Sequence, residues 1–200
     1  MKLVLATHNK DKISELKAAL NSTQVSVLTY EDFPDMPEVI EDGKTLEENA
    51  LKKAREIYQY TQLPVLADDT GLEVPALGGA PGVKSSRYAG ERASYADNVA
   101  KLLKEMSQIP KEQREARFRT VMVYLDGRYQ IMTEGEVPGQ ILEEVRGDGG
   151  FGYDPVFYYP PYKKTFSELT LHEKNSISHR GQALLRMIKA LRENHIITEV

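Results

Sequence analysis

The sequence has no cysteine, and that absence excludes disulfides, a thiolate nucleophile and a zinc finger together. Any metal must then rest on oxygen or on the four histidines. An excess of positive charge is missing as well: 26 lysines and arginines stand against 30 aspartates and glutamates, for a formal charge of −4. The footprint of a duplex nucleic-acid binder is thus absent, and no nucleic-acid partner is expected. A polyanionic ligand must be small and met by a few local cations. No apolar run approaches the roughly 20 residues of a membrane span. "MKLVLATHNKDK" turns polar too early for a signal-peptide core. No membrane partner is expected, and a cytoplasmic location is the default expectation. Internal repeats, low-complexity segments and obvious linkers are also missing.

What is present fits one domain of 200 residues, or two lobes around one cleft, with enough chain for a sizeable core. "KLVLA" (2–6) reads as a buried strand running into the polar turn "THNKDK", after which Ile13, Leu16 and Leu20 recur at helical spacing. In "TLEENALKKAREIYQY" (45–60), Thr45 and Glu48 form a capping-box pattern, and Leu46, Ala50, Ala54 and Ile57 line one face. "LPVLA" (63–67) reads as a short strand ending at Asp68, and "SYADNVAKLLKEM" (94–106) as a helix started by Ser94. "ARFRTVMVYL" (116–125) and "RYQIMTE" (128–134) flank Asp126-Gly127, a two-residue hairpin signal. "GQALLRMIKALREN" (181–194) is the closing helix, with Leu184, Met187, Ile188 and Leu191 on its apolar side. Helices alternating with strands, plus one hairpin, predict a mixed-sheet α/β protein.

Three tempting motifs fail on context. "GKT" (43–45) lacks the P-loop's first glycine, whose place is held by Glu38. "GDGGFG" (147–152) matches G-x-G-x-x-G, but Pro155 stands where a dinucleotide-binding helix should begin. In "HEKNSISH", Ser176 occupies the place of the second histidine of H-E-x-x-H.

Four other stretches carry chemistry, each with a plainer alternative. Asp68 and Asp69 leave an apolar strand, and Mg²⁺ takes oxygen ligands of this kind, often with substrate phosphates completing its shell. Adjacent side chains on an extended chain face opposite ways, so one would meet a given site directly while the other supports it or acts as general base. The same Asp-Asp-Thr-Gly is also good turn chemistry. "THNKDK" (7–12) is a helix start where backbone N–H groups with Lys10 and Lys12 attract an anion, or an ordinary solvated turn. "GDGGFGYDPVF" (147–157) sets glycines beside Phe151, Tyr153 and Asp154, either to stack a flat ring or to cover the core. "EKNSISHRG" (173–181) is a loop offering Lys174, His179 and Arg180, or simply charged surface. Together they make up the kit for a nucleoside triphosphate with Mg²⁺.

These blocks resemble the inosine triphosphate pyrophosphatase family. "LATHNKDK", "EDGKTLEENALKKA", "LADDTGLEVPALGGAPGVKSSRYAG", "GDGGFGYDPVF" and "KTFSELTLHEKNSISHRGQAL" occur in that family's order, from residue 2 to about 188. The sister family of septum-formation-inhibitor nucleotide pyrophosphatases opens with a serine- and arginine-rich loop, which "THNKDK" does not resemble.

The resemblance implies an elongated mixed β-sheet flanked by helices, two lobes around a central substrate cleft, and a homodimer. It implies Mg²⁺-dependent hydrolysis of ITP, dITP and XTP to the monophosphate and pyrophosphate, clearing deaminated purines from the nucleotide pool. The family motif puts the triphosphate on Thr7, His8, Asn9, Lys10, Asp11 and Lys12, and metal on Glu41, Asp68 and Asp69, with Asp69 as catalytic base. Thr70 matches a substrate-contacting position where serine is more usual. Phe151, Gly152, Tyr153, Asp154, Lys174, His179 and Arg180 match nucleoside-binding positions. Lys174 and Arg180 carry only donors and suit a 6-keto oxygen. Asp11, where a small or neutral residue is common, adds negative charge beside the phosphate loop. Two rivals stay in view: a sister-family enzyme for standard or modified pyrimidine triphosphates, and a nucleotide-binding regulator without turnover. The second would have little need for three acids.

Overall fold

The structure, a computed structural model, describes residues 1–21 and 24–197. In chain order its strands are β1 (Lys2–Leu5), β2 (Ser26–Leu28), β3 (Val65–Glu73), β4 (Pro81–Gly82), β5 (Glu115–Leu125), β6 (Gln130–Ile141), β7 (Phe157–Tyr159) and β8 (Lys164–Thr165). The helices are α1 (Lys10–Leu20), α2 (Leu46–Thr61), α3 (Tyr95–Glu105), α4 (Leu171–Ile177) and α5 (His179–Glu193). One sheet runs in the order β2-β1-β3-β5-β6-β7-β8, with β4 beside β3. β1 lies parallel to β2 and β3, whereas β3–β4, β6–β7 and β7–β8 are antiparallel. The sheet is therefore mixed, as the alternation of helices and strands predicts. Among the described residues, no helix is long and apolar enough to cross a membrane.

The chain divides into two compact units: residues 1–69, 120–135 and 180 onward, and residues 70–119 with 136–179. Each has its own core. In the first, Leu3 and Leu5 of β1 pack with Ile13, Leu16 and Leu20 of α1 and with Leu184, Met187, Ile188 and Leu191 of α5. The helical spacings in the sequence thus mark the buried faces. In the second, Val99 and Leu102 of α3 join Leu72, Phe118, Val137, Phe157 and Phe166.

Four local expectations change. β3 does not end at Asp68 but continues through both aspartates and Gly71 to Glu73, because their side chains find buried partners and need no turn. The β5–β6 connection is longer than Asp126-Gly127. The Asp126 carboxylate accepts from the N–H groups of Arg128 (3.0 Å) and Tyr129 (2.7 Å), stabilising a wider loop. Residues 173–181 are the end of α4 and the start of α5 rather than a loop, since Thr170 and Glu173 cap α4 reciprocally. At α2, Thr45 Oγ1 accepts from the Glu48 N–H (3.1 Å). The Glu48 carboxylate, however, reaches one residue further back, to the Lys44 N–H (2.6 Å).

Arg114 braces the second unit. Its buried guanidinium donates to the carbonyls of Ile141 (2.8 Å), Met106 (2.7 Å), Ile109 (3.3 Å) and Leu142 (2.8 Å). Arg114→Met keeps bulk but leaves these acceptors unmatched. At about 1–3 kcal/mol for each buried orphan, it should destabilise the protein by roughly 3 kcal/mol or more. A denaturant midpoint close to that of the wild type would contradict this.

Candidate active site

In the first unit, the phosphate-loop candidates lead into α1. Thr7 Oγ1 accepts from the Asn9 N–H (3.1 Å). The Asn9 side chain caps the helix, accepting from the N–H groups of Asp11 (3.0 Å) and Lys12 (3.1 Å). The helix start predicted as an anion site therefore already holds an acceptor of its own. His8, Lys10 and Asp11 are exposed, and the His8 ring lies 5.2 Å from that of Tyr30. Lys12 turns inward and meets Asp68 Oδ2 at 3.0 Å.

As neighbours on β3, Asp68 and Asp69 meet different partners, as strand alternation requires. Asp68 accepts from Lys12 and, at 3.4 Å, from Arg180 Nε. The Arg180 Nη1 donates to Glu15, and Glu15, Asp68 and Arg180 are all buried. Asp69 accepts from Asn49 Nδ2 (3.0 Å) and lies 3.8 Å from the ammonium of Lys53, which is bonded in turn to Glu41. Both donors project from one face of α2, a turn apart.

The two carboxyls are shifted in opposite directions. Burial alone would push Asp68 up, but Lys12, Arg180 and Lys53 more than offset it and hold Asp68 well below the usual carboxylate range. For Asp69 burial prevails, and the nearby Glu41 charge adds to it. Asp69 is raised despite Lys53 and the Asn49 hydrogen bond. Glu41 is lowered because Lys53 outweighs its burial. Lys53 is raised against its burial by Asp69, Glu41 and Asp68.

Four carboxylates (Glu15, Glu41, Asp68, Asp69) face three cations (Lys12, Lys53, Arg180), which leaves one formal negative charge. Among the described residues, no three histidine or acidic groups form a ready metal cage. The donor set nevertheless suits a hard cation, being all oxygen, with a positive charge already seated between Glu41 and Asp69 as the Lys53 ammonium.

In the second unit, Asp154 closes a turn by accepting from the Phe151 N–H (2.8 Å) and pairs with Lys174 (2.6 Å), both acid and lysine being buried. The Lys174 ammonium stands over the Phe151 ring, 4.4 Å from its centroid. Gly150 has φ +71°, and a Cβ there would meet the Asp154 carboxyl. Gly152 is likewise at positive φ. Tyr153 belongs to the core, its hydroxyl donating to the Ser85 carbonyl (2.8 Å). His179 is buried and stacks on Phe118 at 4.6 Å. Thr70 is half-buried on β3.

The structure thus brings Lys12, Glu41, Asp68, Asp69 and Arg180 together in the first unit, and Phe151, Asp154 and Lys174 in the second. Sequence reading missed Glu15, Asn49 and Lys53. A signal existed for two of them: Asn49 and Lys53 interrupt the stripe of Leu46, Ala50, Ala54 and Ile57, where apolar residues belong. Glu15 lies outside the stripe of α1, and nothing in the pattern marks it.

Such a chain is a mixed α/β protein that gathers buried acids and cations at the middle of a sheet strand. It belongs to the Ham1 family, whose model matches residues 3–190. It is 49% identical over 201 residues to a dITP/XTP pyrophosphatase of Desulforamulus reducens, covering 100% of both chains. It is 50% identical to one of Geobacter sulfurreducens, covering 98% of this chain and 96% of that one. Among solved structures, a HAM1 protein from Coxiella burnetii superposes with a TM-score of 0.87 at 40% identity, covering 96% of this chain and 99% of that one. The Ham1 protein of Staphylococcus aureus gives 0.84 at 36%, covering 98% and 100%.

The two aspartates should respond oppositely to neutralisation. Asp68→Asn leaves Lys12 and Arg180 buried without their counter-ion and should cost about 3–5 kcal/mol. Asp69→Asn should leave stability unchanged or higher. The depressed Asp68 contributes stability in full above the ordinary carboxylate range and loses it as pH falls toward its folded value. The raised Asp69 has the other sign, costing stability as pH rises through its folded value. Thermal melts of the three proteins from about pH 3 to about pH 8 check both signs. Equal losses in the two variants would overturn the assignment.

Proposed function

We propose that this protein hydrolyses the non-standard purine nucleoside triphosphates ITP, dITP and XTP to the monophosphate and pyrophosphate, clearing deaminated purines from the nucleotide pool. The observation that carries the reading is the buried carboxyl pair on β3: Asp68 paired with Lys12 and Arg180, and Asp69 held by Asn49 beside Lys53. A raised carboxylate beside an ionised one is a common acid–base arrangement. The names of the relatives, dITP/XTP pyrophosphatase, support the substrate class.

In this reading Asp69 orients a water and takes its proton, and Asn49 fixes the carboxylate that does so. The water attacks the α-phosphorus in line, the bond to the bridging oxygen breaks, and pyrophosphate leaves with its charge met by Lys12. Thr7, Asn9 and Lys10 line the phosphate end. Glu41, Asp68 and Asp69 would hold Mg²⁺, which when bound offsets phosphate charge. Catalysis is then chiefly positioning and charge stabilisation.

The base is read by the second unit. Phe151 offers a ring face, and Lys174, kept in place by Asp154, donates to a 6-keto oxygen. The Arg180 guanidinium is bonded to Glu15 and Asp68, so the base reading rests on Lys174. Adenine presents a 6-amino donor there and would leave buried donors unpaired, a mismatch that can cost several powers of ten. Association as a homodimer and residence in the cytoplasm belong to the same proposal and rest on the family resemblance.

Initial rates of pyrophosphate release with Mg²⁺ from ITP, XTP, GTP, ATP and UTP test the reading. ITP and XTP should be preferred, and Asp69→Asn should lower kcat about a thousandfold, or roughly 4 kcal/mol of barrier. Equal turnover of UTP would favour the sister-family enzyme. Tight ITP binding without turnover would favour the regulator.

A further inference from the structure

Within the second unit, the Phe151 ring meets the Lys174 ammonium and the Tyr95 ring. The ammonium is 4.4 Å from the ring centroid and anchored on Asp154. The Tyr95 ring lies 5.9 Å away with the planes 40° apart. Tyr95 is the first residue of α3, and that helix start is stiff. Ser94 and Asp97 cap it reciprocally, with the Ser94 N–H and hydroxyl donating to Asp97 at 2.8 and 2.7 Å. One turn on, Asn98 accepts from the Ala89 N–H (2.8 Å) and donates to the Ser86 carbonyl (3.0 Å), tying α3 to the preceding segment.

The helix itself gives no reason for an aromatic at this place. Tyrosine is a middling helix former, and this side chain is 42% exposed, so burial gains it little. It packs on Phe151, which rises from a turn with glycines at 149, 150 and 152. Lys174 and Tyr95 then differ in one respect. A purine stacking on Phe151 competes with the Lys174 ammonium for the ring and draws that ammonium to its keto oxygen. Tyr95 is not drawn away.

We propose that Tyr95 is a positioning residue for base recognition: it keeps the Phe151 ring in the orientation on which the purine stacks once Lys174 has moved to the base. The inference rests on reading the 151–154 turn as the base site. It adds a residue of α3 to a site otherwise built from that turn and α4. An aromatic pair of this kind is worth about threefold to tenfold in affinity.

The test measures kcat and KM for ITP, with inhibition constants for inosine monophosphate and for pyrophosphate. The proteins are wild type, Tyr95→Ala, Tyr95→Phe and Phe151→Ala. Tyr95→Ala should raise KM and the monophosphate constant about threefold to tenfold, leaving kcat and the pyrophosphate constant unchanged. Tyr95→Phe should return both to the wild-type values, and Phe151→Ala should have the larger effect. If Phe151→Ala weakens the monophosphate and Tyr95→Ala does not, the role of Tyr95 falls while the base site stands. If neither variant weakens it, the base-site reading falls and takes this inference with it. Equal weakening of monophosphate and pyrophosphate by Tyr95→Ala would mark a merely structural residue and also overturn the proposal.

Discussion

The burial of Asp68 and Asp69 on one strand is the constraint to which much of the first unit answers. An ionised carboxylate cannot leave water without compensation, and each finds it in a different direction. Asp68 draws Lys12 from α1 and Arg180 from α5, while Asp69 draws Asn49 and Lys53 from α2. Three helices are thus fixed on β3 by charge as well as by apolar packing. Buried ion pairs of this sort rarely stabilise a fold more than well-packed apolar residues of the same volume would. The chain commits seven ionisable side chains to this one centre, and their charges and burial shift the two aspartates in opposite directions.

The loop that brings Glu41 to this centre follows the same logic. Gly43 donates its N–H to Asn49 Oδ1 (2.8 Å), and a Cβ there would stand 2.6 Å from that oxygen. Asn49 is therefore oriented from both ends, its oxygen by Gly43 and its nitrogen by Asp69. The glycine of "GKT" is required by this close approach and owes nothing to a phosphate-binding loop. Thr45 and Glu48 then start α2 two residues on, which sets the rotation that points Asn49 and Lys53 toward β3.

Much of this is legible in the sequence because helical and strand periods report burial directly. The stripes Ile13–Leu16–Leu20 and Leu184–Met187–Ile188–Leu191 locate a core by their spacing alone. What stays hidden is what opposes that pattern. Asp68 and Asp69 read as the end of a strand because polar residues usually end strands, yet β3 runs on for several residues since lysines distant in sequence neutralise them. Residues 173–181 read as a loop because their charges mask the apolar contacts of α4 and α5. Tyr153 and Phe151, two positions apart in one motif, look alike as candidate stacking groups. Only the partners separate them, with Tyr153 packed into the core against Ser85 and Phe151 half-buried beneath Lys174. Nothing in a linear pattern gives the long-range pairing of Glu15 with Arg180.

The Asn9 cap has a further consequence. The N–H groups of Asp11 and Lys12, which a helix start would normally turn toward an anion, are already bonded to the Asn9 side chain. An incoming phosphate reaches them only by displacing an acceptor tethered two or three residues away, whose effective concentration is in the millimolar range or above. A free monophosphate or chloride brings one point of attachment to that contest. A polyphosphate brings several, since lysines and backbone can be engaged in succession. The Asn9 cap therefore sets a cost at the α1 helix start that any docking anion must first meet.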